Sequence, residues 1–205
     1  MPIIATEGQK RDPVPEGVHH AVCYAVVDLG TQPPLPGSQF SKRQHKILVM
    51  FELPEERITY QREGVEMEGP RAISKDFALS LHEKAKLRAF LVSWRGRQFT
   101  PTELEGFDLK NVLGVNCFLN VVHNAKGYAD IATIMPLKGA NKMSPKNEVT
   151  YFALNELSKT DPLPNTLPQW VRDRIERSDE WQARLADEAD PEANAPFPGD
   201  DDIPF

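Results

Sequence analysis

Apolar and polar residues alternate along several stretches of this chain, and the alternation predicts a mainly β protein. An apolar, β-prone run from Gly17 to Gly30 is the first predicted strand, and Gln44 to Leu53 is the second. One face of the second strand is the predicted core side, with Ile47, Val49, Phe51 and Leu53. Its other face is mixed enough to predict a working surface, with Lys46, Leu48, Met50 and Glu52.

Charged and apolar residues alternate again over residues 54–70 around Gly64, which predicts a protruding β-hairpin. Arg71 to Leu79 is the third predicted strand. Two more strands, Val115 to His123 and Tyr128 to Met135, are joined by a short loop with a late glycine, which predicts a second hairpin.

The sequence between the third predicted strand and the last two predicted strands contains the signals of helices. Ser80 and Glu83 have capping-box spacing and predict a helix from about Leu81 to Trp94, which Gly96 ends. Thr100, Pro101 and Glu103 predict a second, short helix that ends near Gly106. Asp108 is placed to cap a further turn through Leu113.

Three strands, a helical insertion and two further strands follow the order of the five-stranded Greek-key barrel, the OB-fold. A generic small β-sandwich is the alternative. Val149 to Leu154 is a possible extra edge strand, Leu167 to Arg177 a helix, and Ser178 the cap of another. The predicted organisation is an irregular lead-in (1–16), an OB-fold domain (17–155), a helical extension (156–187) and a disordered acidic tail (188–205).

The charge of the chain is distributed unevenly. The formal net charge is −6, and residues 188–205 hold six carboxylates without Lys or Arg, so residues 1–187 are neutral overall. The acidic balance therefore does not argue against a body that binds nucleic acid. The chain shows no signal-peptide layout and no apolar run of about 20 residues, and we expect a cytoplasmic protein that makes no membrane contact.

Basic and aromatic residues are interleaved on the predicted barrel, as in proteins that hold single strands by phosphate contacts and base stacking. The strand 2–3 face and the loops of an OB-fold bind the oligomer, so basic residues there are the stronger candidates. The candidate DNA-binding residues are Tyr24, Phe40, Lys42, Arg43, Lys46, Tyr60, Arg71, Lys75, Phe77, Phe118, Lys126 and Tyr128. Core packing is the competing explanation for each aromatic. After Pro136 the chain also turns basic, with Lys138, Lys142 and Lys146.

Metal binding and catalysis have little support in the residues. His19, His20 and Cys23 lie close in sequence, and Cys117 with His123 could approach them, but the paired spacing of zinc sites is absent. Two buried thiols and ordinary histidines explain these residues more simply. A phosphate-cradling glycine loop, a Gly-x-Ser-x-Gly elbow and a His-Glu-x-x-His motif are also missing. A nuclease whose acidic residues are scattered along the chain stays open as an alternative, but we expect a non-enzymatic protein without cofactors.

The segment from Asp200 to Phe205 joins three carboxylates (Asp200, Asp201, Asp202) to an apolar, aromatic end (Ile203, Pro204, Phe205). This combination suits binding in a pocket of a partner protein that is both basic and apolar. It resembles, letter for letter, the C-terminal tip of bacterial single-stranded DNA-binding proteins, which implies recruitment of replication and repair partners. The body is similar to phage-encoded replication and recombination proteins that bind single-stranded DNA, in residues 26–32, 51–54 and 73–111.

The expected function is therefore sequence-non-specific binding of single-stranded DNA in phage replication, recombination or repair, in the host cytoplasm, with partners recruited through the tip. A homodimer is possible. Two further alternatives stay open: a protein-interaction module whose tail mimics the host tip, and a strand-annealing recombination mediator. Binding of oligo-dT separates the first alternative from the expected function, and an annealing assay tests the second.

Overall fold

The computed structural model describes residues 12–34, 42–62, 64–139, 141–158 and 161–189. The chain forms two compact units. Unit 1 comprises Met1–Val27 and Leu48–Tyr151, and unit 2 comprises Asp28–Ile47 and Phe152–Phe205. Within the described residues, no helix combines the length and the apolar character that crossing a membrane requires.

Six strands form one sheet, and the fold is mainly β as predicted. The strands are β1 (Gly17–Gln32), β2 (Gln44–Arg62), β3 (Val65–Ala78), β4 (Asn116–His123), β5 (Ala129–Pro136) and β6 (Thr150–Phe152). Their order is β3-β2-β1-β4-β5, and β6, the predicted extra strand, pairs with β1. Strand β4 is antiparallel to both of its neighbours.

The sheet is open, whereas a closed barrel was predicted. Strands β3 and β5 end the strand order, and their described residues do not pair with each other. A side chain links them instead: the Lys75 ammonium donates to Asp130 Oδ1 at 2.8 Å and to the Ile131 carbonyl at 2.6 Å. The ammonium group satisfies a carbonyl of β5 that backbone pairing would otherwise have to reach.

The predicted hairpin at residues 54–70 is confirmed, but it is not a separate element. Strands β2 and β3 continue without a break until a turn at Gly64, whose φ of 80° is the left-handed conformation that glycine favours. The third strand therefore begins at Val65 rather than at Arg71.

The core of unit 1 lies between the predicted inner face of β2 and helix α1 (Lys86–Arg95). Phe51 is fully buried, and its ring centroid lies 5.2 Å from that of Trp94 and 6.2 Å from that of Phe90. These contacts confirm the inner face that the alternation predicts. Gly96, at φ 65°, ends α1 as predicted.

The start of α1 was predicted wrongly. The helix begins at Lys86, after Ala85, without a side-chain cap. Ser80 Oγ accepts from the His82 N–H, and His82 Nδ1 accepts from the Lys84 N–H. These local bonds fold residues 80–84 into turns, so that the Ser80 hydroxyl does not cap a helix.

The second capping box is confirmed in helix α2 (Pro101–Glu105). Thr100 Oγ1 accepts from the Glu103 N–H, and Glu103 accepts from the Thr100 N–H. The Glu103 carboxylate also pairs with Arg97 at 2.7 Å and with Arg95. Asp108 caps a 3-10 turn at Leu109–Val112, again as predicted.

We predict that Glu103 makes stability depend on pH. Hydrogen bonding to Arg97, then to the Thr100 N–H and to Arg95, lowers the pKa of Glu103 from 4.5 to about 2. A lowered pKa in the folded state means that the stabilisation is complete above pH 4.5 and is lost as the pH falls towards 2. Glu103→Gln should thus lower the melting temperature at neutral pH, and the difference from wild type should shrink between pH 4.5 and 2.

The matched control for this prediction is Glu105→Gln, an exposed carboxylate of the same helix. A melting-temperature difference for Glu103→Gln that is constant over this pH range would contradict the assignment.

Unit 2 is helical where the sequence predicts helices, in α3 (Gln169–Ile175) and α4 (Asp179–Ala189). Ser178 caps α4 as predicted, since its Oγ accepts from the Trp181 N–H at 3.2 Å. The start of α4 is fixed further by Glu180, which accepts from the N–H and the hydroxyl of Thr31, both at 2.6 Å.

A close approach at Gly30 makes this contact sensitive to substitution. Gly30 has φ 67°, and a Cβ there would lie 2.6 Å from Ser178 Cβ and 2.6 Å from Glu180 Oε2. We predict that Gly30→Ala destabilises the protein by about 2–4 kcal/mol, because the clash adds to the left-handed strain. The control Gly64→Ala meets no atom within 4 Å and should show the strain alone. Equal effects in urea denaturation would refute the close approach.

Candidate nucleic-acid interface

One face of strands β1, β4 and β5 is partly open and lies opposite the core. The register places His20 beside Phe118, and Phe118 beside Met135. The next row along β4 consists of Val18, Asn120 and Thr133. The alternate residues of β4, Cys117, Leu119 and Val121, are buried in the core. We call the rows facing away from this core the outer face.

Apolar side chains on the outer face are exposed. Val18 is 60% exposed, Met135 is 43% exposed and Val122, further along β4, is 37% exposed. Phe118 is half-buried, and its ring centroid lies 5.9 Å from that of His20 with an interplanar angle of 51°. His20 itself is buried, at 7% exposed, so the outer face offers the half-buried Phe118 ring and exposed aliphatic groups, surfaces on which bases can stack or rest.

A groove opens at the Phe118 end of this face. It encloses about 630 Å³ and is lined by His20, Glu55, Phe118, Leu137, Lys138, Gly139, Asn141, Lys142 and Met143. Lys138 and Lys142 are exposed. The groove thus joins two lysines to the Phe118 ring and the adjacent His20, and among the described lining residues Glu55 is the one that carries a carboxylate.

The lysines are placed by a buried amide. Asn116 Oδ1 accepts from the Met143 N–H at 2.8 Å, and Asn116 Nδ2 donates to the Met143 carbonyl at 3.0 Å. The same Oδ1 lies 2.8 Å from His20 Nε2. One side chain therefore fixes both the imidazole and the chain next to Lys142.

A second anchor holds the following residues. The Glu52 carboxylate, 0% exposed, accepts from the N–H groups of Lys146 and Asn147 and from the Asn147 side-chain amide at 2.6–3.0 Å. Leu48 and Met50, on the same face of β2, are buried as well. The prediction that this face of β2 is a working surface is therefore wrong for Leu48, Met50 and Glu52, whose side chains are buried, whereas Lys46 on the same face is half-buried.

Two of the predicted DNA-binding residues lie at the far end of the β4–β5 hairpin. Tyr128 is 67% exposed, and Lys126 is exposed in the same loop. Asn124 Oδ1 accepts from the N–H groups of both residues, at 2.9 Å from Lys126 and 3.1 Å from Tyr128. With Phe118 on β4, the β4–β5 hairpin carries three of the predicted residues.

Other predicted residues of unit 1 have structural contacts. Phe77 is buried with its ring centroid 4.7 Å from that of Phe90, so it belongs to the core rather than to a surface. Tyr24 is half-buried, its hydroxyl is 3.8 Å from Met50 Sδ, and burial raises its pKa to about 12.

Arg71 donates to the carbonyls of Asp12 and Pro13. Lys75 bridges β3 and β5, as described above, and Tyr60 lies on the hairpin of β2 and β3.

The remaining predicted residues belong to unit 2 or lie outside the described residues. Lys42 is exposed, Lys46 is half-buried, and Arg43 forms an ion pair with Asp179. Phe40 and the tip residues, Asp200 to Phe205, fall outside the part of the chain that the structure describes.

Sequence reasoning missed His20, Lys138 and Lys142. The basic stretch after Pro136 was visible, but its place in the fold depends on Asn116, which lies 27 residues before Met143. His20 was weighed as a metal ligand. The alternation of β1 places it on the outer face with Val18, and this signal could have identified it.

The thiols and histidines form no metal site in the described residues, where no group of three or more His, Cys, Asp or Glu is arranged to hold an ion. Cys23 and Cys117 are free, buried thiols, and burial raises the pKa of both. His19 lies 2.8 Å from the Pro15 carbonyl and 3.0 Å from Glu56, and His123 lies 2.8 Å from the Val14 carbonyl.

Comparison of the chain with protein-family models, curated proteins and solved structures finds no match.

Proposed function

We propose that this protein binds single-stranded DNA without sequence preference and without catalysis, through the groove and the outer face of unit 1. The observation that carries the proposal is the groove, where Lys138 and Lys142 stand beside the His20–Phe118 pair. Lysines attract phosphates, and aromatic rings stack on any base, which is the combination that non-specific single-strand binders use.

The extent of the surface supports an oligomer as ligand. From Phe118 to Val122 the outer face runs about 13 Å along β4, at about 3.3 Å per residue. Beyond Val122, the loop that Asn124 organises adds Lys126 and Tyr128. Basic and aromatic residues therefore occur at both ends of the β4–β5 hairpin, and exposed apolar side chains of the outer face lie between them.

The strand order also supports the proposal. An OB-fold barrel has five strands in the order β3-β2-β1-β4-β5, closed between β3 and β5, with a helix between β3 and β4. This chain has that order and that helix, and Lys75 joins β3 to β5. We infer an OB-like sheet, in which the oligomer lies on β1, β4 and β5, because Leu48, Met50 and Glu52 of β2 are buried.

The tip, Asp200 to Phe205, is proposed to recruit partner proteins of replication or recombination, on the strength of its sequence alone. Phe205→Ala should leave the affinity for DNA unchanged and weaken binding to a purified replication partner. Equal binding of that partner by both proteins would refute this role.

Titration of fluorescein-labelled oligo-dT of increasing length, followed by anisotropy, tests the main proposal. We expect sub-micromolar binding that strengthens with length and weakens with salt, with a logarithmic salt slope of about −0.7 for each phosphate contacted. A duplex of the same length should bind more weakly. No binding of oligo-dT at low salt would refute the proposal and would favour a protein-interaction module.

A further inference from the structure

The ends of β2 and β3 form an arm, described over residues 57–62 and 64–69, that the nucleic-acid interface does not use. Strand β3 ends the strand order, and among the described strands it pairs only with β2. The outer edge of Val65 to Gly69 therefore presents backbone N–H and C=O groups to which a further strand could bond. Pro70 follows and has no N–H to donate, so the edge available for pairing ends there.

Apolar and acidic side chains alternate along this edge. Val65 is 62% exposed and Met67 is 42% exposed, and their positions place them on one face of the arm. Tyr60 shares that face, since its ring lies 3.0 Å from where a Cβ of Gly69 would stand. Glu66 and Glu68, both exposed, occupy the opposite face.

Charge decides what can bind along this edge. In an antiparallel pair of two β3 strands centred on Met67, Glu66 would face Glu68 of the other copy, and like charges directly opposite are destabilising. Phosphates would meet the same two carboxylates. Arg57 donates to Glu68 at 2.8 Å and lowers its pKa, so this carboxylate stays charged at neutral pH. A second copy and a nucleic acid are therefore both disfavoured.

We propose that the outer edge of β3, over residues 65–69, binds an extended segment of a partner protein that adds to the sheet as a strand. In that segment apolar residues alternate with Lys or Arg. Its apolar side chains pack beside Val65 and Met67, and its basic side chains face Glu66 and Glu68. Backbone bonds supply the affinity in this mode of recognition, and the alternating side chains supply the specificity.

A labelled nine-residue peptide that alternates valine with lysine is the probe, with the full chain and without DNA. We expect saturable binding that weakens at least tenfold in the variant Glu66→Lys with Glu68→Lys. A peptide alternating valine with glutamate should bind that variant more tightly than it binds the wild type. Val65→Thr with Met67→Thr should weaken both interactions without changing the circular dichroism spectrum.

Three results would overturn the proposal. A peptide with its valines and lysines in separate blocks could bind the wild type equally well, which would mean simple charge attraction. The arm variants could instead lower the affinity for oligo-dT, which would place the arm in the nucleic-acid interface. Sedimentation could show a wild-type dimer that Val65→Thr with Met67→Thr dissociates, which would make a second copy the partner. The first and third results do not depend on whether the protein binds DNA as proposed.

Discussion

A double variant that reverses the charge of both groove lysines, Lys138→Glu with Lys142→Glu, is expected to bind oligo-dT about a hundredfold more weakly at low salt. Each lysine that contacts a phosphate contributes about 1.5 kcal/mol or more, so two contacts correspond to two orders of magnitude in affinity. The salt slope should also become shallower by about 1.4, since two phosphate contacts are lost. Both quantities come from anisotropy titrations at several salt concentrations.

The matched control reverses the charge of Lys84 and Lys86, two exposed lysines of unit 1 that lie outside the groove. It changes the net charge by the same amount, so it measures the general effect of charge on attraction of DNA. We expect a loss of affinity well below tenfold. If the two double variants lose affinity equally, the groove is not the phosphate-binding site.

Removing the carboxylate of Glu52 is expected to destabilise the protein strongly. Glu52→Ala leaves the Lys146 N–H, the Asn147 N–H and the Asn147 side-chain amide without their acceptor, and it opens a space in a fully buried position. We expect the free energy of unfolding to fall by about 3 kcal/mol, since orphaned donors and lost packing both contribute. Urea denaturation followed by circular dichroism measures the change.

The control for this variant is Glu55→Ala, an exposed carboxylate three residues further along β2, which should change the stability by less than about 0.5 kcal/mol. Glu52→Gln should fall between the two, because its amide oxygen still accepts from one or two of the donors. A loss below 1 kcal/mol in Glu52→Ala would show that residues 146–147 are held by other contacts.

The local elements were largely predictable because their signals lie within a few residues of each other. Alternation along β2 identified the inner face that packs against Trp94. The cap at Thr100 and the end of α1 at Gly96 follow from local backbone chemistry. The failure at Ser80 has the same origin: its spacing to Glu83 matches that of a true box, but its hydroxyl accepts from His82 instead.

The candidate site was less predictable because long-range contacts assemble it. Leu48, Met50 and Glu52 of β2 are buried, and Glu52 binds residues that lie 94 and 95 positions later in the chain. The local sequence pattern of β2 cannot show such a contact. The lysines of the groove depend in the same way on Asn116. Phe118, Lys126 and Tyr128 could be selected from the sequence because they belong to a single hairpin, whose register follows from its short loop.

Photo-cross-linking of oligo-dT that carries 5-bromodeoxyuridine, with the linked residues located by mass spectrometry, would show where the bases lie on the protein. We expect cross-links to Phe118 in the groove and to Tyr128 in the β4–β5 loop, and their loss in the Lys138→Glu, Lys142→Glu variant. Cross-links confined to the arm or to unit 2, or no adduct above background, would contradict the proposed interface.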